Sequence, residues 1–359
     1  MSRHPFVDDW RRRKSAAFER GTNSTAGRTI GLDFWGTRRE VYANANLSVY
    51  SGQACNARCP FCVEELRPAS RGVELEIQKR VESDDERYFR ALEAVLDVVR
   101  PLDPSVSVTG GEASRDPRLP RILRTLAAHG ARRRTLTTNG SGLLDVREGR
   151  SVIDWITATG VRHLNVSVAH PDPQKNARLM RLDEGLSPAA FAEVVRRARD
   201  AGTRVRLSCV LARDAISKLD GLVEYVAFAR SLGLDNVIFR QLMKTDAATH
   251  ARNAVVRFSD HERVLLEPLL DDVSRDGRFE FQRQIVGYYH YVEVWRIAGV
   301  DLVFEEADLA RLEATKREGP DVVHELVFHP DRRLASTWQP WDGVLRPPEP
   351  SLVSLRRAS

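Results

Sequence analysis

Short runs of alternating polar and apolar residues recur along the middle of the chain, separated by stretches with helical periodicity. The runs are LSVY (47–50), SVSVTGG (105–111), RTLTTNG (134–140), HLNVSVAH (163–170), RVRLSCVL (204–211) and NVIFRQLM (236–243). Between them the apolar residues return every three or four positions. Ser187 can cap one such helix with Pro188 at its first position, which aligns Phe191, Val194, Val195 and Ala198 in one stripe. A second helix, LDGLVEYVAFARSLG (219–233), stops at Gly233. Six strands, each followed by a helix, require parallel pairing with right-handed crossovers. The expected fold is α/β, a partial (β/α)6 barrel of parallel strands with a small C-terminal antiparallel and helical cap. Residues 1–45 read as a basic extension, 46–250 as the barrel and 251–359 as the cap region. In the last, SDHERVLLEPLLDDVSR reads as a capped helix. FEFQRQIVGYYHYVEVWRIAG and VVHELVFHPDRRLASTW read as antiparallel strands, with His329–Arg333 as a hairpin turn.

In such sheets the active site lies at the C-terminal strand ends. Polar residues gather there: Gly110–Glu112, Thr137–Gly140, Ser167–His170, Ser208 with Cys209, and Arg240 with Gln241.

Composition narrows the chemistry. The 359 residues carry a net charge of +5, from 49 Arg and only 6 Lys among the cations. Charges of both signs are interspersed, which argues against a nucleic-acid partner. No apolar run approaches the roughly 18 residues that span a bilayer, and MSRHPFVDDWRRRKS offers no signal peptide. The expected location is therefore cytoplasmic, where thiols stay reduced, and a cysteine cluster reads as a metal site. Three of the four cysteines, Cys55, Cys59 and Cys62, fall within eight positions of the segment SGQACNARCPFCVEEL. Zinc would want four ligands, usually in two knuckles, and one knuckle is visible. A [4Fe–4S] cluster held by three thiolates would leave one iron open to a ligand. Both alternatives stand on spacing alone.

The pattern Cys55-x-x-x-Cys59-x-Phe61-Cys62 after the first strand of the set resembles the signature of the radical S-adenosylmethionine (radical SAM) superfamily, and the resemblance runs to about residue 245. It implies that Cys55, Cys59 and Cys62 hold one [4Fe–4S] cluster. It also implies that Gly110-Gly111-Glu112 binds the methionine amino group of SAM. Thr138, Asn139, Ser167, Arg178 and Gln241 become further cofactor contacts, with Phe61 near the adenine. SAM would be cleaved reductively to a 5′-deoxyadenosyl radical that abstracts hydrogen from substrate, with electrons from a flavodoxin- or ferredoxin-type donor. Cys209 and Arg240 are the catalytic candidates, Cys209 as a hydrogen-atom donor at a strand end or, more plainly, as a small buried hydrophobe.

After Cys62 the sequence has only Cys209, which argues against radical SAM enzymes with auxiliary clusters, the molybdenum-cofactor cyclase among them. Arginine-rich strand ends and the run Tyr288–Tyr291 suit a small anionic substrate, a sugar or nucleoside. The chain is most similar in impression to the cytosylglucuronate decarboxylases of nucleoside-antibiotic biosynthesis. Epimerisation, dehydrogenation, a peptide or RNA substrate, and a zinc-stabilised binding protein are the alternatives.

Overall fold

A computed structural model describes residues 28–52, 54–66, 81–131, 133–243, 253–287, 289–308 and 321–346, together with Arg12, Lys14–Ala17, Leu312, Thr315 and Arg317. Tyr288, Arg132 and the proline-rich stretch after Arg346 lie outside these residues.

All six expected strands form: β3 (Asn46–Tyr50), β4 (Ser105–Thr109), β5 (Arg134–Thr138), β8 (His163–Ser167), β9 (Arg204–Leu211) and β10 (Asn236–Gln241). They pair in parallel in the order β3-β4-β5-β8-β9-β10. A small hairpin, β6 (Val146–Arg147) and β7 (Arg150–Ser151), interrupts the series. The crossovers carry α1 (Asp85–Val99), α2 (Leu119–Ala128), α3 (Val152–Ala158), α4 (Pro173–Met180), α5 (Pro188–Asp200) and α6 (Leu219–Ser231). Ser187 caps α5 as the sequence predicts, its side chain accepting from the Ala190 amide. Gly233 takes φ +71° beyond α6.

Each strand alternates between two environments. On β9, Val205, Leu207, Cys209 and Leu211 are buried toward the helices, whereas Arg204, Arg206, Ser208 and Val210 face the concave side. The helix-side residues of all six strands join one core with Leu92, Ile122, Ile153, Val194 and Leu222. Burying each such side chain stabilises the sheet by about 1.5–3 kcal/mol. The concave side is left polar.

The flanking segments depart from expectation in three ways. The N-terminal extension contains a hairpin, β1 (Thr29–Phe34) and β2 (Thr37–Tyr42), to which β14 (Val322–Val323) adds in parallel. The expected capped helix is two, α7 (Ala254–Glu262) and α8 (Leu266–Arg275). Its amphipathic period continues, but Arg263 leaves the helical conformation at ψ 124° and its side chain caps the Leu242 and Met243 carbonyls. Third, the C-terminal region extends the sheet at both edges. β13 (Val300–Ala307), not anticipated, lies parallel to β10, followed outward by antiparallel β12 (His290–Ile297) and β11 (Glu280–Val286). At the other edge β15 (Leu326–Phe328) lies parallel to β3, then β16 (Leu334–Ala335) and β17 (Val344–Arg346) return antiparallel. His329–Arg333 is the β15–β16 turn, and four of its five residues, all but Pro330, are buried polar or charged groups.

A candidate cofactor site at the strand ends

The loop after β3 carries Cys55, Cys59 and Cys62. Backbone bonds fold it tightly: the Cys62 amide donates to the Cys59 carbonyl at 3.0 Å and the Ala57 amide to Cys55 Sγ at 3.4 Å. The C-terminus of α4 closes one side, where the Met180 carbonyl accepts from Cys59 Sγ at 3.3 Å and from the Arg58 amide at 3.2 Å. Burial pushes the Cys59 thiol up to about 12, with Cys62 and Cys55 adding to the rise and Arg181 opposing it. Burial also raises Cys55. A positively charged metal centre would bind such thiols as thiolates and release their protons to solvent. Among the described residues no three His, Cys, Asp or Glu converge on a single-ion site. A cubane takes its thiolates on separate irons. Three cysteines on one short loop, with no fourth beside them, suit that group and not a four-ligand zinc site.

The second strand end is knitted to this loop. The Glu112 amide donates to the Ala54 carbonyl at 2.9 Å. Gly110 has φ +91°, and a Cβ there would lie 2.5 Å from the Tyr50 ring, so both the turn and the close approach require glycine. The Tyr50 hydroxyl in turn donates to Glu64 beyond the cysteines.

Glu112 has a structural task at this strand end. Its carboxylate is buried and already accepts from the Ser114 amide (2.9 Å), Ser114 Oγ (2.6 Å), Thr138 Oγ1 and the Asn139 amide (2.6 Å). Three of these donors reach Oε1 and only the Asn139 amide reaches Oε2, which keeps acceptor capacity. Glu112 thus pins the Thr138–Gly140 turn to the Gly110–Glu112 turn, beside the Gly110 and Gly111 backbone. Thr138 is likewise turned inward, to Glu112 and the Gly140 amide. Asn139 does face the loop, with Nδ2 at 2.9 Å from Asn56 Oδ1 and 3.9 Å from Cys55 Sγ.

The remaining expected residues divide by face. Ser167 and Arg240 lie on the concave side, and Arg178 on the exposed side of α4. Gln241 lies on the opposite face, buried, its Oε1 accepting from the Leu266 amide at the start of α8 at 2.8 Å. That position gives it a structural task. Cys209 is fully buried toward α6, with Sγ at 3.5 Å from the Ala169 carbonyl, and burial raises its thiol strongly. Its thiol lies on the face of β9 opposite Arg206 and Ser208. Phe61 packs against Phe258 of α7, ring centroids 6.2 Å apart, which brings the C-terminal region over the cysteine loop.

Sequence reasoning missed Asn56, which ties the loop to Ser141 Oγ (3.1 Å), to Asn139 and to the Glu184 carbonyl (2.9 Å). It also missed the polar belt of the concave side. Ser107 Oγ donates to Asn46 Oδ1 (3.2 Å), Thr135 Oγ1 to Ser107 Oγ (3.0 Å), Asn165 Nδ2 to Thr137 Oγ1 (3.4 Å) and Arg206 Nε to Asn165 Oδ1 (2.8 Å). Arg240 and His290 then meet Glu305 at 3.4 and 3.5 Å. Strand alternation alone could have found these residues.

Residues 49–215 match the family described as the radical SAM superfamily. The chain carries a radical SAM domain. Its family's cofactors are a [4Fe–4S] cluster and SAM, which agrees with the donor set above. A probable GTP 3′,8-cyclase of Pyrobaculum aerophilum is 30% identical over 50% of this chain and 52% of its own length. GTP 3′,8-cyclase 1 of Mycobacterium tuberculosis is 27% identical over 59% of this chain and 54% of its own. The chain therefore spans about half the length of these curated relatives. The crystal structure of Streptococcus suis SuiB bound to S-adenosylmethionine aligns with a TM-score of 0.50 at 13% identity, covering 83% of this chain and 61% of that one. That likeness establishes a shared fold for the radical SAM domain and its surroundings.

Proposed function

We propose that this radical SAM enzyme acts on a small, polar, anionic substrate, a sugar or nucleoside, held on the concave side of the barrel. Cys55, Cys59 and Cys62 would hold the cluster, and the Gly110–Gly111 backbone, Asn139 and Ser167 would line the SAM site. Bound there, the cluster and SAM supply the chemistry that removes a hydrogen atom from an unactivated C–H bond. The chain's own residues orient and shield. Glu112 and Asn56 fix the two turns beside the cysteine loop, and Phe61 with Phe258 covers that loop from one side.

The observation that carries the substrate reading is the row of hydroxyl, amide and guanidinium groups on the concave side from β3 to β13. Most of these groups bond one another, but an apolar ligand would leave the buried Arg240 Nε unpaired, at about 1–3 kcal/mol. The carboxylate or phosphate of an anionic sugar or nucleoside would supply an acceptor there. The name of the curated relatives, GTP 3′,8-cyclase, also specifies a nucleotide substrate. Within this class a glucuronosyl nucleoside is the candidate that the sequence resemblance suggests, with loss of carbon dioxide as the outcome.

The test is to incubate reduced, cluster-reconstituted protein with SAM and a panel of anionic sugars, nucleosides and nucleotides. Formation of 5′-deoxyadenosine and release of carbon dioxide are followed by mass spectrometry. Stimulation by a peptide, with none by any anionic sugar or nucleoside, would overturn the reading.

A further inference from the structure

Arg206 differs from its strand neighbour Arg204. It sits on the concave face of β9, half-buried, and its Nε donates to Asn165 Oδ1 at 2.8 Å. Asn165 is itself buried and tethered to Thr137, so the plane of the guanidinium is set in advance. Yet among the described residues Arg206 makes no ion pair, whereas its strand neighbour Arg204 pairs with Asp235 at 3.1 Å and Asp301 at 3.8 Å. The charges nearest Arg206 are mainly cations: burial first, then Arg240 and Arg204, pull it down to about 10, and Glu305 alone opposes them. Arg240 is only loosely satisfied. Its contact with Glu305 is 3.4 Å, that carboxylate is shared with His290, and its buried Nε has no partner. Arg206 and Arg240 thus project from the same face of neighbouring strands, four residues apart in register, and the one carboxylate paired there, Glu305, belongs to Arg240. An uncompensated cation removed from water is costly unless an anion joins it, and a planar guanidinium suits a two-oxygen anion.

We propose that Arg206 and Arg240 form an oxyanion-recognition site that takes the carboxylate or phosphate of the substrate, with Asn165 orienting Arg206 and Glu305 holding Arg240. This rests on the substrate reading above and names the group recognised. β9 lies four strands along the sheet from β3, which carries the cysteine loop. The anionic end of the substrate is thereby anchored away from the cofactor, leaving the opposite end to react.

The experiment uses the full chain with its cluster reconstituted, at constant ionic strength. D-glucuronate, inorganic phosphate and, as a neutral control, D-glucose are titrated by calorimetry and thermal shift. Saturable binding of glucuronate or phosphate, but not glucose, is expected. R206M and R240M should each weaken it by about tenfold or more, the effect of losing a charge-assisted contact. R206K should restore part of it. R196M, which alters an exposed α5 arginine paired to Glu193 and Asp200, should leave it unchanged. Preference for glucuronate would identify a carboxylate substrate, and preference for phosphate a phosphorylated one. Equal binding by wild type and R206M, or no anion binding by the wild type, overturns the proposal. The SAM-induced change in the cluster spectrum is recorded on the same samples. If it is present without anion binding, only the oxyanion site fails; if it is absent while anions bind, the radical SAM reading fails.

Discussion

Replacing Glu112 by Gln separates two roles that the strand-end position allows. The substitution keeps the side chain's shape and removes one acceptor. In one amide orientation the new NH2 faces the Asn139 N–H, whose present acceptor is 2.6 Å away. In the other it faces the Ser114 N–H, whose acceptor is 2.9 Å away. The Ser114 and Thr138 hydroxyls can rotate to adapt, but neither backbone N–H can. One buried N–H is therefore left without an acceptor, at about 1–3 kcal/mol, and the surviving bonds lose their charge assistance. A total near 3 kcal/mol follows. For 359 residues, about 2.1 cal/mol/K per residue gives an unfolding entropy of about 0.75 kcal/mol/K, so Tm should fall by about 4 °C. The assay is differential scanning calorimetry of cluster-free protein without SAM. Were Glu112 instead a free carboxylate awaiting the ammonium of SAM, E112Q would leave that Tm unchanged and weaken only cofactor binding. An unchanged Tm refutes the placement of Glu112 as the clasp between the two turns.

Cys209→Ala should keep SAM cleavage and product formation near wild-type levels, because its thiol is sealed on the helix side, while lowering stability by about 1 kcal/mol in urea denaturation; loss of turnover with SAM cleavage intact would restore a hydrogen-donor role. Gly110→Ala should reduce both Tm and iron content, since its Cβ would strike the Tyr50 ring at 2.5 Å and its φ of +91° is strained for alanine, and Tyr50 holds Glu64 of the cysteine loop. Cys55→Ala, Cys59→Ala and Cys62→Ala should each abolish the absorbance near 400 nm and the iron of reconstituted protein, against about four irons per wild-type chain. His163 is held down to about 4 by burial, with Arg206, Arg162 and Arg204 adding to it. The unfolded chain therefore binds a proton below about pH 6.5 that the native chain refuses, so this group costs stability as pH falls from about 6.5 toward 4. After discounting for its partial exposure the loss is about 1–2 kcal/mol, and H163Q should flatten that part of the urea-midpoint profile.

What could be read from the chain before folding depended on range. The six parallel strands were legible because each carries its own period and its crossover helix lies next in sequence, as Ser187 and Pro188 show for α5. The cysteine loop was legible because its three ligands are local. Partnerships over long sequence distances were not. Glu112 meets Thr138 and Asn139 across 26 and 27 positions, and no local signal distinguishes a carboxylate that clasps a turn from one that waits for a ligand. Gln241 follows Arg240 directly, yet alternation sends the two to opposite faces of β10. Reading both as site residues ignored the two-residue period that the same sequence had been used to find the strand. Arg206 could have been chosen by that period, since it shares the concave face with Ser208 two residues on. That no described residue forms an ion pair with it, however, emerges only when β8, β9, β10 and β13 stand side by side. On the proposed reading, the cofactor end is written locally, in cysteines and glycines, while the substrate end is assembled from single polar residues on separate strands. Substrate choice can then change by exchanging one inward-facing residue per strand without disturbing the core on the other face, which is why a sequence of this kind declares its cofactors more readily than its substrate.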